Sequence, residues 1–443
     1  MQAGATDFIL AERKWLESGA EGSCGLTGTQ LEQLTAWKAS ALSPEPDYTA
    51  GKALAERIQN VLVASRNESL KKKGIEIPVG AESLLKISAR GDMEKFFPCP
   101  RKWVLSQLLK LRADTLDTDL MQSYDMGNLH HKILELFMNE YMDKPLPFYD
   151  PETEKFYVKD SNPELLNNYV EETDKVVALL YGSENQRSLV YDAIYSRSNS
   201  FSDRPLVIKT LCNQQKKTAD RIFRFLKVLL LKYDEEDNPE TPEDINGIGG
   251  CTVCSAEGTF CALQKDYAYY GKIDFVVKTP DTKQYVLLDY KNSKASIPAE
   301  EDFMPDPVYG TLADFQMALY CRLLSQDCKN EIAAAYFYAV NDLGKRMVFD
   351  KYQINLTNSK GIPKPSHDYT VFEPAVKTCD EYAALFNSIV SSKNPDFTPH
   401  SYSSNKERMN VKPHKDCTGC TFSPICRTLY SVAGKQISTG RNE

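Results

Sequence analysis

The sequence predicts an α/β protein in which helices feed a small mixed sheet. Three observations carry that prediction. Apolar residues recur at helical spacing through much of residues 83–233, and the period shortens to two in three segments beyond Gly250. A helix at Leu312–Gln326 then separates those segments from two further strands. With 443 residues the chain exceeds one ordinary core. Its 42% hydrophobic and 26% charged residues exclude collagen-like and largely disordered classes.

In chain order, residues 1–82 read as a helical leader or docking segment. It is broken at Ser43-Pro44-Glu45-Pro46-Asp47 and ends near the basic run Lys71-Lys72-Lys73. The main unit is expected over 83–443. Its first helical stretch places Phe96, Phe97, Trp103, Val104, Leu108 and Leu111 at helical spacing, interrupted by Pro98-Cys99-Pro100. Met126–Met142 is a second helix, with Leu129, Ile133, Leu136 and Phe137 on its buried side. Residues from about 143 to 245 form a helical insertion that ends in an acidic, proline-containing loop, Glu235–Glu243. Strands are predicted at Glu257–Leu263, Ala268–Lys278 and Gln284–Lys291, the last two joined by Thr279-Pro280-Asp281-Thr282. Ala333–Val340 and Met347–Tyr352 supply two more.

Several function classes are set aside by composition. No uncharged apolar run reaches bilayer length, and Met1–Trp15 lacks a signal-peptide layout, so a cytoplasmic location without membrane association is expected. The net charge of −8 argues against a uniformly basic nucleic-acid-binding surface. No G-x-x-x-x-G-K-[ST] sequence is present, which excludes P-loop ATP-driven unwinding.

The chemistry concentrates in Gly271-Lys-Ile-Asp274 and Asp289-Tyr-Lys291. Side chains two apart on a strand share a face, so Asp289 and Lys291 project together, and Asp274 belongs to the preceding strand of the same hairpin. Two carboxylates converging on an apolar sheet invite a divalent cation of the Mg²⁺ or Mn²⁺ type. The Lys291 ammonium would then orient water or neutralise a phosphate; a salt bridge on an edge strand is the plainer alternative. His131, one helical turn before Glu135, offers an imidazole ligand. Gln316 and Tyr320, also i and i+4, place an amide and a phenol on one helix face.

Taken in this order, Gly127/His131, Gly271/Asp274, Asp289/Lys291 and Gln316/Tyr320 resemble the RecB-like branch of the PD-(D/E)XK nuclease superfamily. The resemblance implies a restriction-endonuclease-like core, a small mixed sheet flanked by helices. It also implies that His131, Asp274 and Asp289 hold the metal and Lys291 completes the hydrolytic centre, with Gln316 and Tyr320 as the supporting helix motif. The upstream acid of the family has Glu257 as its nearest candidate.

Cysteines form the second signal. Cys417-x2-Cys420-x5-Cys426 is too dense for chance in a cytosolic chain, yet three thiolates lack a fourth, and Cys99 is the best available partner. The resemblance supplies the same pairing. AddB-type helicase–nuclease subunits and certain CRISPR-associated nucleases carry one early Cys and a C-terminal triplet that together hold a [4Fe–4S] cluster, stapling the N- and C-terminal parts. The long spacing favours the AddB-like version, with a cluster segment at about 401–430. Cys251, Cys254 and Cys261 have metal-like spacing too, with buried or free thiols as the alternative.

Local charge reopens nucleic-acid binding. Residues 86–112 carry seven Lys/Arg against two acids, and 401–443 carry seven against three. The expectation is therefore a Mg²⁺- or Mn²⁺-dependent deoxyribonuclease acting on DNA ends in repair or recombination, with a separate helicase as partner. A CRISPR-adaptation or stand-alone exonuclease is the alternative within enzymes. A non-catalytic iron–sulfur scaffold that binds DNA ends is the alternative outside them.

Overall fold

The computed structural model describes residues 48–111, 123–159, 169–196, 204–235, 247–306, 310–352, 368–392, 397 and 420–422. These fall into two compact units. The first is drawn from Met1–Thr115, Leu263–Ala268 and Glu381–Glu443, the second from Leu116–Ala262 and Tyr269–Asp380. Among the described residues no helix is long and apolar enough to cross a membrane.

The first unit contains α1 (Tyr48–Lys72) and helical turns over Ala89–Met93, Glu94–Phe96, Pro100–Trp103 and Val104–Leu108. On α1, Leu62, Arg66 and Leu70 follow one another at i+4 spacing and are all buried. Arg66 is tolerated there because its guanidinium pairs with buried Asp92 at 2.6 Å and also donates to the Lys86 carbonyl. Asp92 further accepts from Trp103 Nε1 at 2.9 Å and from the Ser88 backbone at 2.8 Å. Around this network Phe96 packs edge-on against Trp103 and Phe386, with centroids 5.6 and 4.9 Å apart. The Arg66–Asp92 pair thus ties α1 to the helical turns of this unit.

The second unit opens with α2 (Ser123–Asn139), whose Leu129, Ile133, Leu134, Phe137 and Met138 are buried. The insertion that follows is not wholly helical. A small antiparallel sheet of β1 (Phe148–Asp150), β2 (Lys155–Lys159) and β3 (Tyr169–Glu171) precedes α3 (Thr173–Tyr181), α4 (Leu189–Tyr195), α5 (Pro205–Asn213) and α6 (Gln215–Leu229). Aromatic and β-branched residues such as Phe148, Phe156, Tyr157 and Val158 favour that pleated surface over a helix.

Five of the six strands of the main sheet are β4 (Thr252–Leu263), β5 (Ala268–Lys278), β6 (Tyr285–Lys291), β7 (Ile332–Ala339) and β8 (Lys345–Asp350). β5 pairs with β4 and runs antiparallel to β6; β6 runs parallel to β7, and β7 antiparallel to β8. The mixed sheet and the strand positions agree with the expectation to within a few residues. α7 (Gln316–Leu324), which crosses from β6 to β7, is shorter than the expected helix. Ala313 and Asp314 spend their amides on the Asp302 carbonyl, and the Asp314 carboxylate accepts from Gln316 N, so helix begins at Gln316. α8 (Tyr369–Val390) closes the described order.

Along β6 the faces alternate: Val286, Leu288 and Tyr290 join the core shared with the insertion helices, leaving Leu287, Asp289 and Lys291 on the other side. That parity is what delivers two charged side chains to the face covered by α7.

Candidate active site

β6 supplies Asp289 and Lys291, which form a buried ion pair. α7 lays Gln316 across it. Gln316 accepts from the Lys291 ammonium at 3.0 Å and donates to Asp289 and to the Tyr320 hydroxyl. The four residues read from sequence as Asp289/Lys291 and Gln316/Tyr320 are therefore one hydrogen-bonded cluster. Gly271 explains how α7 comes so near: a Cβ there would lie 2.9 Å from Leu323 Cδ1 and 3.3 Å from Leu319 Cδ2. A side chain there would oblige the ends of the Leu319 and Leu323 side chains to shift. Gly127 is different, since its Cβ would meet only Asn292 at 4.0 Å.

A second group forms beside this cluster. His131 Nδ1 lies 2.7 Å from Glu257 Oε1 and 3.6 Å from Asp274 Oδ2. One ligand atom from each of the three falls within 4.8 Å of the others, and among the described residues no other set of His, Cys, Asp and Glu does so. Cys251, Cys254 and Cys261 accordingly form no such set. Asp289 is not in the trio, being engaged by Lys291 and Gln316, but its charge is felt at Asp274. Glu135, one turn from His131, pairs instead with Lys132 at 2.8 Å.

Glu257 reaches the trio from an unusual backbone. Its φ of +54° is left-handed within β4, a conformation that strains a residue with a Cβ. Sequence spacing offers no signal for this, and only the presence of Gly258 next to it hints at an irregular strand. The peptide of Tyr290 is the other feature a motif cannot show. Its N–H donates to Asp274 at 2.9 Å, and its carbonyl faces His131 Nε2 at 3.1 Å.

The electrostatics follow from crowding. Burial and the nearby Asp289 charge push the Asp274 carboxyl up to about 7, against the opposing effects of His131 and the Tyr290 amide. Burial alone would lower His131, but Asp274, Glu257 and Asp289 outweigh it and raise the imidazole to about 9. Burial works against ionisation of Glu257 as well, yet His131 and the Lys272 ammonium hold it below the usual carboxylate range. The neighbouring His130 goes the other way, driven down to about 4 by burial and then by the Arg221 charge. Two adjacent imidazoles thus sit in opposite states, and only the one among carboxylates is charged.

The donor set fits a hard divalent cation. One imidazole nitrogen and two carboxylate oxygens converge, and such an ion would favour the charged form of the Asp274 carboxyl, which burial and then Asp289 raise to about 7. For the thiol site, Cys99 and Cys420 are both half-buried and within the first unit; Cys417 and Cys426 lie outside the described residues.

Comparison with known proteins agrees in kind. No curated protein matches the chain. A family model described as the PD-(D/E)XK nuclease superfamily matches residues 86–427, the span that carries all four motifs. With most of its length matched and both charged clusters inside that match, the chain belongs to the PD-(D/E)XK nuclease superfamily, whose nucleases use divalent metals.

Proposed function

We propose that this chain is a Mg²⁺- or Mn²⁺-dependent deoxyribonuclease that degrades DNA from ends. The observation that carries the reading is the His131–Glu257–Asp274 trio lying alongside the Asp289–Lys291–Gln316 cluster. His131, Asp274 and Asp289 are the proposed ligands, with Glu257 added to them. When bound, the cation supplies Lewis-acid polarisation of the phosphodiester. The protein's own contribution is orientation. Gln316 fixes the Lys291 ammonium, which is thereby aimed to hold an attacking water and to offset charge developing on the phosphate. Tyr320 fixes Gln316 in turn.

Cys99, Cys417, Cys420 and Cys426 are proposed to hold a structural [4Fe–4S] cluster, supported by their spacing and by the placement of Cys99 and Cys420 in one unit. The resemblance to AddB-type subunits supports a role as the nuclease part of a repair or recombination complex with a separate helicase.

The deciding experiment is degradation of end-labelled single- and double-stranded DNA, with and without Mg²⁺ and with one end blocked. Metal-dependent loss of label that stops at a blocked end is expected. Asp289→Ala or Lys291→Ala should lower the rate about 10²-fold or more while DNA binding persists. Unchanged degradation in both variants would remove the assigned active site, and binding without degradation in the parent would favour the scaffold reading. Anaerobically purified protein should be brown and contain iron and sulfide; colourless, zinc-loaded protein would overturn the cluster.

A further inference from the structure

Lys272 has no part in the reaction described above. It stands two residues before Asp274 on β5, so both side chains leave the strand on the same face. Its side chain is 53% exposed, while that of its ion-pair partner Glu257 is only 9% exposed. The Glu257 carboxylate is divided between two cations, Oε1 facing His131 at 2.7 Å and Oε2 taken by the Lys272 ammonium. Lys132 on α2 is satisfied by Glu135 on its own helix, and Lys291 on β6 is buried against Asp289. Among the described residues Lys272 combines access to solvent with a counter-charge that belongs to the trio.

Two electrostatic consequences follow. Without a bound cation, His131 and Lys272 both pair with Glu257. When His131, Glu257 and Asp274 take up a divalent ion, a like charge arrives beside the ammonium and the carboxylate that held it is shared. The ammonium, with three donors to place, then finds its acceptors on the open side. The anion that the nuclease reaction brings to that side is a backbone phosphate.

We propose that Lys272 is a phosphate-binding residue for the substrate strand, held by Glu257 in the cation-free protein and released to the substrate when a cation takes that carboxylate. The proposal rests on the nuclease reading above and adds to it a substrate contact. Lys272→Met and Lys272→Arg, made in the full chain, test it. Binding of a phosphorothioate-linked oligonucleotide, which resists cleavage, is measured in Mg²⁺ across a KCl series. Lys272→Met should weaken binding about three- to tenfold. It should also make the dependence of log affinity on log salt shallower by about 0.7 for a single strand or about 0.9 for a duplex. Lys272→Arg should keep both. In a calorimetric Mn²⁺ titration without DNA, Lys272→Met should bind the ion as tightly as the parent or more tightly, because a competitor for Glu257 is gone. An unchanged salt slope, a loss shared by Lys272→Arg, or weaker Mn²⁺ binding would each overturn the proposal and leave Lys272 as a prop for Glu257. If the parent binds and degrades DNA while the variants match it, only this inference falls. If the parent does neither, both readings fall together.

Discussion

His130 and His131 are neighbours in sequence with opposite electrostatics, and that difference is measurable. In cation-free protein, nitrogen NMR should show His131 titrating near pH 9 and His130 neutral throughout the range above about 4. The same shifts fix a stability trend. Both His131 and Asp274 have folded pKa values above their ordinary 6.5 and 3.8, so the folded state holds the extra protons. Their contribution to the stability of cation-free protein therefore declines as pH rises from about 4 to about 9. Binding an ion at His131 must expel its proton, so Mn²⁺ affinity should climb about tenfold per pH unit until pH approaches 9, and more steeply below 7, where Asp274 also gives up a proton. Calorimetry in buffers of different ionisation enthalpy reads that release directly; no proton release at pH 7.5 would count against His131 as a ligand. Glu257 invites a second comparison. Gln keeps the left-handed strain and Asn tolerates it, so Glu257→Asn should be more stable than Glu257→Gln by about 1 kcal/mol in thermal unfolding, with Mn²⁺ binding weakened in both.

At the scale of elements, the two motif glycines do different work. Gly271→Ala presses a methyl against the ends of the Leu319 and Leu323 side chains, and the repacking should cost about 1 kcal/mol in denaturant unfolding. Gly127→Ala meets only an ordinary contact with Asn292 and should instead add up to about 1 kcal/mol through helix propensity. The motif strands and α7 were legible because their signals are local: period two in β5 and β6, and i, i+4 pairing on α7. The small β1–β3 sheet was not, because strands of three to five residues are too short to show a period. Glu257 stayed indistinct for a related reason. A side chain aimed by a left-handed residue breaks the alternation that sequence reading depends on.

For the molecule as a whole, the least legible feature is how the leader is bound. Arg66 and Asp92 are 26 residues apart, and no periodicity links them. Replacing Arg66 with Met should strand a buried carboxylate and cost about 3–5 kcal/mol, read as a lowered denaturation midpoint of the full chain. Restored stability in the double variant Arg66→Met/Asp92→Leu would assign that cost to the charge, and an unaltered midpoint in Arg66→Met would deny it. The division of the first unit into three stretches of chain carries a consequence in time. Phe386, which packs against both Phe96 and Trp103, leaves the ribosome long after them. At ordinary rates of synthesis that delay is roughly 15–60 s. Throughout it the aromatic faces of Phe96 and Trp103 wait without their partner. A nascent chain stalled before Phe386 should therefore be a client for chaperones, even with the motif residues of its second unit already made.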